Sequence, residues 1–228
     1  MSELATNDDF LHDRNILKMF KYDGNSQFGQ DIFIWKIIFN CCKEGFFLDI
    51  GGNDPIHINN TYLFEQKGWK GLAFEPIKEL QMKWDNVRKT ECLNLAIGDC
   101  DNELEFTELK YDAFSGMSTA ISFDDEQVKS KYVVQQKTLT SVLKERKISK
   151  VDFMSVDVEG YEMNVLKGID FSQIDISCIC IENNREGDDR ADMELRSYLI
   201  SKGYRLIARL TIDDVFVKED FINSKIFE

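Results

Sequence analysis

The chain has 228 residues, 43% of them hydrophobic and 12% aromatic, which is enough to build one sizeable core within the length of a single α/β domain. Lys and Arg number 28 against 41 Asp and Glu; the formal net charge of −13 repels phosphate backbones and anionic headgroups, so nucleic acid and membranes are disfavoured as partners. The first residues are polar and acidic, unlike a signal peptide, and no apolar run approaches spanning length, so the expectation is a cytoplasmic protein with no membrane span.

In chain order, Phe28, Ile32, Trp35, Phe39 and Cys42 recur at helical spacing and predict an amphipathic helix over 28–43, ended by Gly45. The apolar run 46–50 is too short for a helix and reads as a buried strand. A helix over 60–67, a strand over 71–75, a helix over 77–89 and a strand over 92–96 continue a β-α-β-α-β rhythm. The stretch 106–134 has no clear period; it reads as a lid, a binding loop or disorder, with Tyr111 and Phe114 able to stack on a sugar face. Beyond it come a helix over 138–147, a strand over 151–156, a helix over 162–167 closed by Gly168, and a strand over 176–181. A helix over 189–202, stopped by Gly203, leads into strands over 204–210 and 214–218, close enough for an antiparallel hairpin. The alternation predicts an α/β fold: a mostly parallel central sheet of about seven strands, helices on both faces and an antiparallel edge hairpin. Residues 1–44 are expected to form a helical segment capping the site, and 45–228 a single globular unit. The six cysteines, at 41, 42, 92, 100, 178 and 180, include no Cys-x-x-Cys pair, so they support neither a zinc knuckle nor a redox dithiol and are expected to be reduced and mostly buried.

In open α/β sheets ligands bind beyond the carboxyl ends of the strands, so the strand tips carry the information. Each of five predicted tips holds a carboxylate: Asp49 before Gly51-Gly52-Asn53, Glu75 before Pro76, Asp99 after Ala96-Ile97-Gly98, Asp157 before Glu159, and Glu182 before Asn183-Asn184. A glycine pair lets backbone approach a ligand, and an acid ending the second strand suits the two hydroxyls of a ribose. The dinucleotide fingerprint Gly-x-Gly-x-x-Gly is missing, and Asp49 and Asp54 would sit badly beside a pyrophosphate. A cationic nucleoside such as S-adenosylmethionine fits better, although a Gly-Gly turn after a strand is often only a turn.

Several blocks in order resemble the FkbM family of methyltransferases: Ser26-Gln27-Phe28-Gly29-Gln30-Asp31, Gly45-Phe46-Phe47-Leu48-Asp49-Ile50-Gly51, Asn59-Asn60-Thr61-Tyr62, Gly68-Trp69-Lys70-Gly71, and 151–162 followed by Val165-Leu166-Lys167-Gly168. The resemblance spans roughly residues 26 to 184. It implies a Rossmann-like class I methyltransferase fold and an S-adenosylmethionine-dependent O-methyltransferase acting on sugar hydroxyls in glycans, nucleotide sugars or glycosylated natural products. It also implies that Asp49, Gly51 and Asn53 line the methionine end, Glu75 and Pro76 the ribose, and Ala96, Ile97 and Asp99 the adenine, with Gln27, Gln30 and Asp31 closing over the cofactor. Its partners would be a sugar or glycan acceptor, with a homo-oligomer or glycan-assembly enzymes as further associates.

The sulfonium already activates the methyl group, so the protein must align the acceptor oxygen and help it lose a proton, by a general base or by a divalent metal. Asp157, Glu182 and Asn183 are hard ligands that Mg²⁺ would accept, similar to the Asp, Asp-Asn set of catechol O-methyltransferase but with the longer Glu at 182. Alternatively Asp157 and Glu182 orient substrate hydroxyls, with Asp157 or Glu159 as base. Glu162 suits the helix dipole without any catalytic role. His57, in the loop after the first strand, is a candidate base or else a surface residue. The rival functions are a nicotinamide-dependent sugar dehydrogenase or epimerase, which lacks its third glycine here; methylation at nitrogen of nucleic acid or protein, which lacks an Asn/Asp-Pro-Pro-Tyr motif; and a non-catalytic glycan-binding module.

Overall fold

The computed structural model of the chain describes residues 24–110, 116–117, 127–183 and 189–226. Helix α1 (Gln30–Phe33) runs into a π-helical turn (Ile34–Ile38) and is followed by β1 (Phe46–Ile50), α2 (Tyr62–Gln66), β2 (Lys70–Phe74), α3 (Lys78–Val87) and β3 (Glu91–Leu93). Then come β4 (Ala96–Gly98), β5 (Asn102–Leu109), β6 (Gly116–Met117) and β7 (Val128–Thr138), followed by α4 (Leu139–Glu145), β8 (Lys150–Val156), α5 (Glu162–Lys167) and β9 (Asp175–Glu182). Helix α6 (Asp189–Ser201), β10 (Tyr204–Leu210), β11 (Asp213–Lys218) and α7 (Glu219–Ile226) complete the order.

Seven strands form the main sheet in the order β10-β11-β9-β8-β1-β2-β3. All neighbours from β9 to β3 are parallel, whereas β11 lies antiparallel to both β9 and β10. The hairpin is therefore at the edge as expected, but its second strand is inserted inside the sheet and its first forms the border. Strand order reverses at β1, whose two neighbours β2 and β8 lead the chain in opposite directions, and this switch point opens a crevice at the carboxyl ends.

Both faces of the sheet are covered, because the strands are apolar on both sides. Leu48 and Ile50 of β1 pack with Met154 and Val156 and with Leu143, Val165, Leu166 and Leu199 from α4, α5 and α6. Their alternate neighbours Phe47 and Phe153 pack on the other side with Phe33, Phe39, Phe64 and Trp69. Trp84 of α3 is fully buried against Ala73 and Cys92.

The structure departs from expectation in five places. The helix over 28–43 is short: its π turn ends in Asn40 and Cys41, which hold left-handed φ of 46° and 58°, so the chain turns well before Gly45. The strand over 92–96 is split, because Asn94 donates to the carbonyls of Glu75 and Pro76 (2.9 and 2.8 Å) and swings Ala96–Gly98 into a second sheet. That second sheet, β4-β7-β5-β6, takes in most of the described residues of the stretch read as a loop, with β5 and β7 antiparallel. Residues 111–115 and 118–126 of that stretch, with Tyr111 and Phe114, lie outside the described residues. Helix α7 had no counterpart in the sequence reading. Of the cysteines only Cys92, Cys178 and Cys180 are buried, while Cys41, Cys42 and Cys100 are exposed; all six are free. Among the described residues no helix is long and apolar enough to cross a membrane.

Candidate active site

Beyond the carboxyl ends of β1, β2, β8 and β9 lies a cavity of about 400 Å³, within the range of small-molecule sites. Its shape begins with the turn after β1. Gly51 holds φ +81°, and a Cβ there would stand 1.8 Å from the carbonyl oxygen of Asp157, so only glycine lets the two strand ends sit side by side. A Cβ on Gly52 would meet the Trp84 ring at 2.7 Å. The glycine pair is thus required by protein packing around the site. Asn53, at φ +40°, donates its backbone N–H to Glu75 Oε2 (2.8 Å) and accepts at its carbonyl from Trp84 Nε1 (2.9 Å). Ile77 N donates to Glu75 Oε1 (2.7 Å), so both oxygens of the second strand's carboxylate are oriented by backbone.

Asp49 is 4% exposed and accepts from Thr61 Oγ1 (2.5 Å) and Asn59 Nδ2 (3.1 Å). Burial raises its pKa, opposed by Thr61, by the Arg88 charge and by Asn59. Arg88 is the keystone that the sequence reading missed. Its guanidinium bonds Glu65 through Nε (3.0 Å), the Pro55 carbonyl through Nη1 (2.7 Å) and Thr61 Oγ1 through Nη2 (3.3 Å), and it lies 4.4 Å from the Trp84 ring centroid. It ties the loop after β1 to the end of α3. Asp54 accepts from the N–H groups of Ile56 and His57; burial opposes this, but those bonds hold its pKa below the ordinary value.

The other wall is acidic. Asp157 follows β8, Glu159 sits in the next turn at φ +53° ahead of Gly160 at +89°, and Glu182 ends β9. Asp157 opens onto the cavity but sits at the end of a central strand, and burial there, reinforced by Glu182, Asp213, Glu159 and Glu162, pushes its pKa far up. Burial and the charges of Glu159 and Glu162 push the neighbouring Glu182 up to about 8. Burial and Glu162 push Glu159 up to about 7. These perturbed, clustered carboxylates in a cleft are the mark of a functional site. Glu162 instead accepts from Gly160 N (2.9 Å) and Val158 N (3.3 Å), a structural role at the start of α5.

Of the residues expected to meet the cofactor, Gln27, Asp49, Gly51, Asn53, Glu75, Pro76, Ala96 and Ile97 line the cavity; so do Asp157, Glu159, Glu182 and His57 from the catalytic set. Gln30, Asp31, Asp99 and Asn183 do not line it. Gln30 Nε2 reaches Asp213 (2.5 Å), Asp31 takes the N–H of Asn25 (2.6 Å) and the hydroxyl of Ser26 (2.6 Å), and the exposed Asp99 accepts from Asn164 (3.3 Å). Asn183 is buried and donates to Asp214 (2.6 Å), which also holds Arg196 and Arg209. The Mg²⁺ set of Asp157, Glu182 and Asn183 is therefore not assembled, and among the described residues no three of His, Cys, Asp and Glu gather as a metal ion requires.

Ile58, Asn60, Ser155, Phe106 and Ile212 also line the cavity and were not singled out as site residues. Asn59 and Asn60 had a signal, their place in a block of the family resemblance. Phe106 had none, because it arrives on a strand of the unforeseen second sheet.

The family model described as "Methyltransferase FkbM domain" matches residues 49–206. The chain belongs to this family. Among solved structures, that of Methyltransferase FkbM from Methylobacillus flagellatus KT is similar at 12% identity, with a TM-score of 0.49, over 77% of this chain and 44% of that one. The FkbM chain described here thus spans less than half the length of that protein. No curated protein matches it.

Proposed function

We propose that this FkbM domain is an S-adenosylmethionine-dependent O-methyltransferase whose acceptor is a sugar hydroxyl. The observation that carries the reading is the acidity of the cavity: six acidic side chains, Asp49, Asp54, Glu75, Asp157, Glu159 and Glu182, and no Lys or Arg among its described lining residues. A pyrophosphate would be repelled there, while a cationic nucleoside is attracted. The residues fit that cofactor in kind: Glu75 at the end of β2 for ribose hydroxyls, Ile77, Leu80, Ala96 and Ile97 as an apolar wall for a base, and the turn after β1 beside the methionine end.

When bound, S-adenosylmethionine supplies an electrophilic methyl group on a sulfonium, leaving the protein to align the acceptor and take its proton. Glu159, turned into the cavity by its left-handed backbone, takes the hydroxyl proton; a base whose conjugate acid titrates near neutral pH suits that step. Asp157 and Glu182 hold the acceptor.

Calorimetry of the full chain tests the cofactor reading. S-adenosylhomocysteine should bind, and Glu75→Ala should weaken it by roughly tenfold or more, the cost of losing hydrogen bonds to a carboxylate. Heat with a nicotinamide dinucleotide and none with either adenosyl ligand would overturn it.

A further inference from the structure

With no Lys or Arg among the described lining residues, the carboxylate at the methionine end of the cofactor must be met by neutral donors. The turn after β1 does not supply them from its backbone. Gly51 N and Gly52 N both donate to the Phe74 carbonyl (3.1 Å each), and Asn53 N donates to Glu75 Oε2 (2.8 Å), so all three N–H groups are taken up inside the protein. The donor has to be a side chain.

Asp49 and Ser155 are partners in the register of β1 and β8, parallel neighbours about 4.8 Å apart, so their side chains leave the sheet on the same face. Both are buried, at 4% and 2% exposure, and both line the cavity. Two consecutive asparagines of the loop after β1 set their polarity. Asn59 Nδ2 donates to Asp49 Oδ2 (3.1 Å), where Thr61 Oγ1 also donates (2.5 Å), so among the described residues Oδ1 receives no donor. Burial opposes the ionised form of Asp49, while Thr61, the Arg88 charge and Asn59 favour it. Asn60 Nδ2 donates to Ser155 Oγ (3.0 Å), which makes the serine oxygen an acceptor there, and no described residue takes the serine proton. One open acceptor and one open donor thus stand side by side. The α-amino acid group offers the complement: an ammonium that donates and a carboxylate that accepts.

We infer that Ser155 is a cofactor-binding residue, its hydroxyl donating to the α-carboxylate of the methionine end while Asp49 Oδ1 takes the α-ammonium, and that Asn60 is the positioning residue that turns the serine proton into the cavity. This inference rests on the S-adenosylmethionine reading and deepens it.

Calorimetry of the full chain compares S-adenosylhomocysteine with its decarboxylated form, S-adenosyl-3-thiopropylamine, which keeps the adenosyl group, the thioether and the amine. The wild-type chain should bind the intact ligand roughly tenfold or more tightly, the scale of a hydrogen bond to a charged group. Ser155→Ala should erase that preference by weakening the intact ligand alone. Asn60→Asp gives Ser155 an acceptor, draws its proton away from the cavity and should also weaken the intact ligand while the amine binds no less tightly. Because both changes act through one proton, the double variant should lose little beyond either single one. Equal wild-type affinity for the two ligands, a preference that survives Ser155→Ala or Asn60→Asp, parallel weakening of both ligands, or additive losses in the double variant would each overturn the inference and leave the cofactor reading standing. Binding of neither adenosyl ligand to the wild-type chain would instead remove the reading beneath it.

Discussion

Ile58 holds φ +52° although it is β-branched, and it stands 69% exposed on the cavity's lining. Left-handed backbone is unfavourable for such a side chain by about 1–3 kcal/mol, and so little of it is buried that packing returns only a small part of that. Asn53 and Glu159, at +40° and +53°, share the conformation and the cavity. Strain gathered at one site is what a preorganised ligand cradle shows. Ile58→Asn, which suits left-handed backbone, should therefore raise the stability of the free protein by about 1 kcal/mol, read as a higher Tm. An unchanged or lower Tm would mean that the backbone at Ile58 is relaxed.

At the scale of elements, the loop after β1 is held in place mainly by α3. Arg88 reaches it with three hydrogen bonds, and Trp84 fills the space that Gly52 leaves. Arg88 is 6% exposed, so Arg88→Met would leave Glu65 and Asp49 without their nearby cation and should cost about 3–5 kcal/mol. Denaturant unfolding measures it; a loss well under 1 kcal/mol would show that the loop holds itself. This keystone was illegible in the sequence, where an arginine near a helix end reads as a solvated charge. The same limit explains the second sheet. Strand β7 exposes Lys129, Lys131, Val133 and Gln135 on one face and buries little on the other, so the alternation of apolar and polar residues that announces a strand is muted. Strands β1 and β8, apolar on both faces, were legible for the opposite reason, and with them the acidic tips that line the cavity. What the tips did not disclose was orientation: Asn183 follows Glu182 directly yet turns into the Asp214 network, because successive side chains at a strand end point to opposite sides.

For the molecule as a whole, the acidic wall makes stability depend on pH. Glu159 and Glu182 titrate near 7 and 8 instead of their ordinary 4.5, and Asp213, buried beside Asp214, near 6. A carboxyl whose pKa is higher folded than unfolded holds its proton longer in the native state, so its stabilisation is complete below the unfolded value and is lost as pH rises through the folded one. Other carboxylates pull the other way at lower pH, Glu65 and Glu91 being held below their usual values, by Thr90 and Arg88 against burial and by Arg146 respectively. The free protein should be most stable in mildly acidic solution, and its Tm should fall between about pH 5 and about 8, each pKa unit counting for at most about 1.4 kcal/mol. Glu182→Gln should flatten that fall, and a slope identical to wild type would show that Glu182 titrates normally.

The inserted strand β11 bears on how the chain is made. It is the last described strand, yet it pairs on both sides, with β9 and with β10, and its Asp213 meets Gln30 across 183 positions of sequence. During synthesis the ribosome releases β1, β2, β8 and β9 long before β11, so the nascent sheet waits with β9 as an open edge that another chain can join. The contact of Asp213 with Gln30 spans nearly the whole sequence, so the segment before β1 is fastened late. Loss of residues 213–218 would therefore leave no trimmed but working domain: it would detach β10, unfasten the segment before β1 and leave a sticky, half-built sheet.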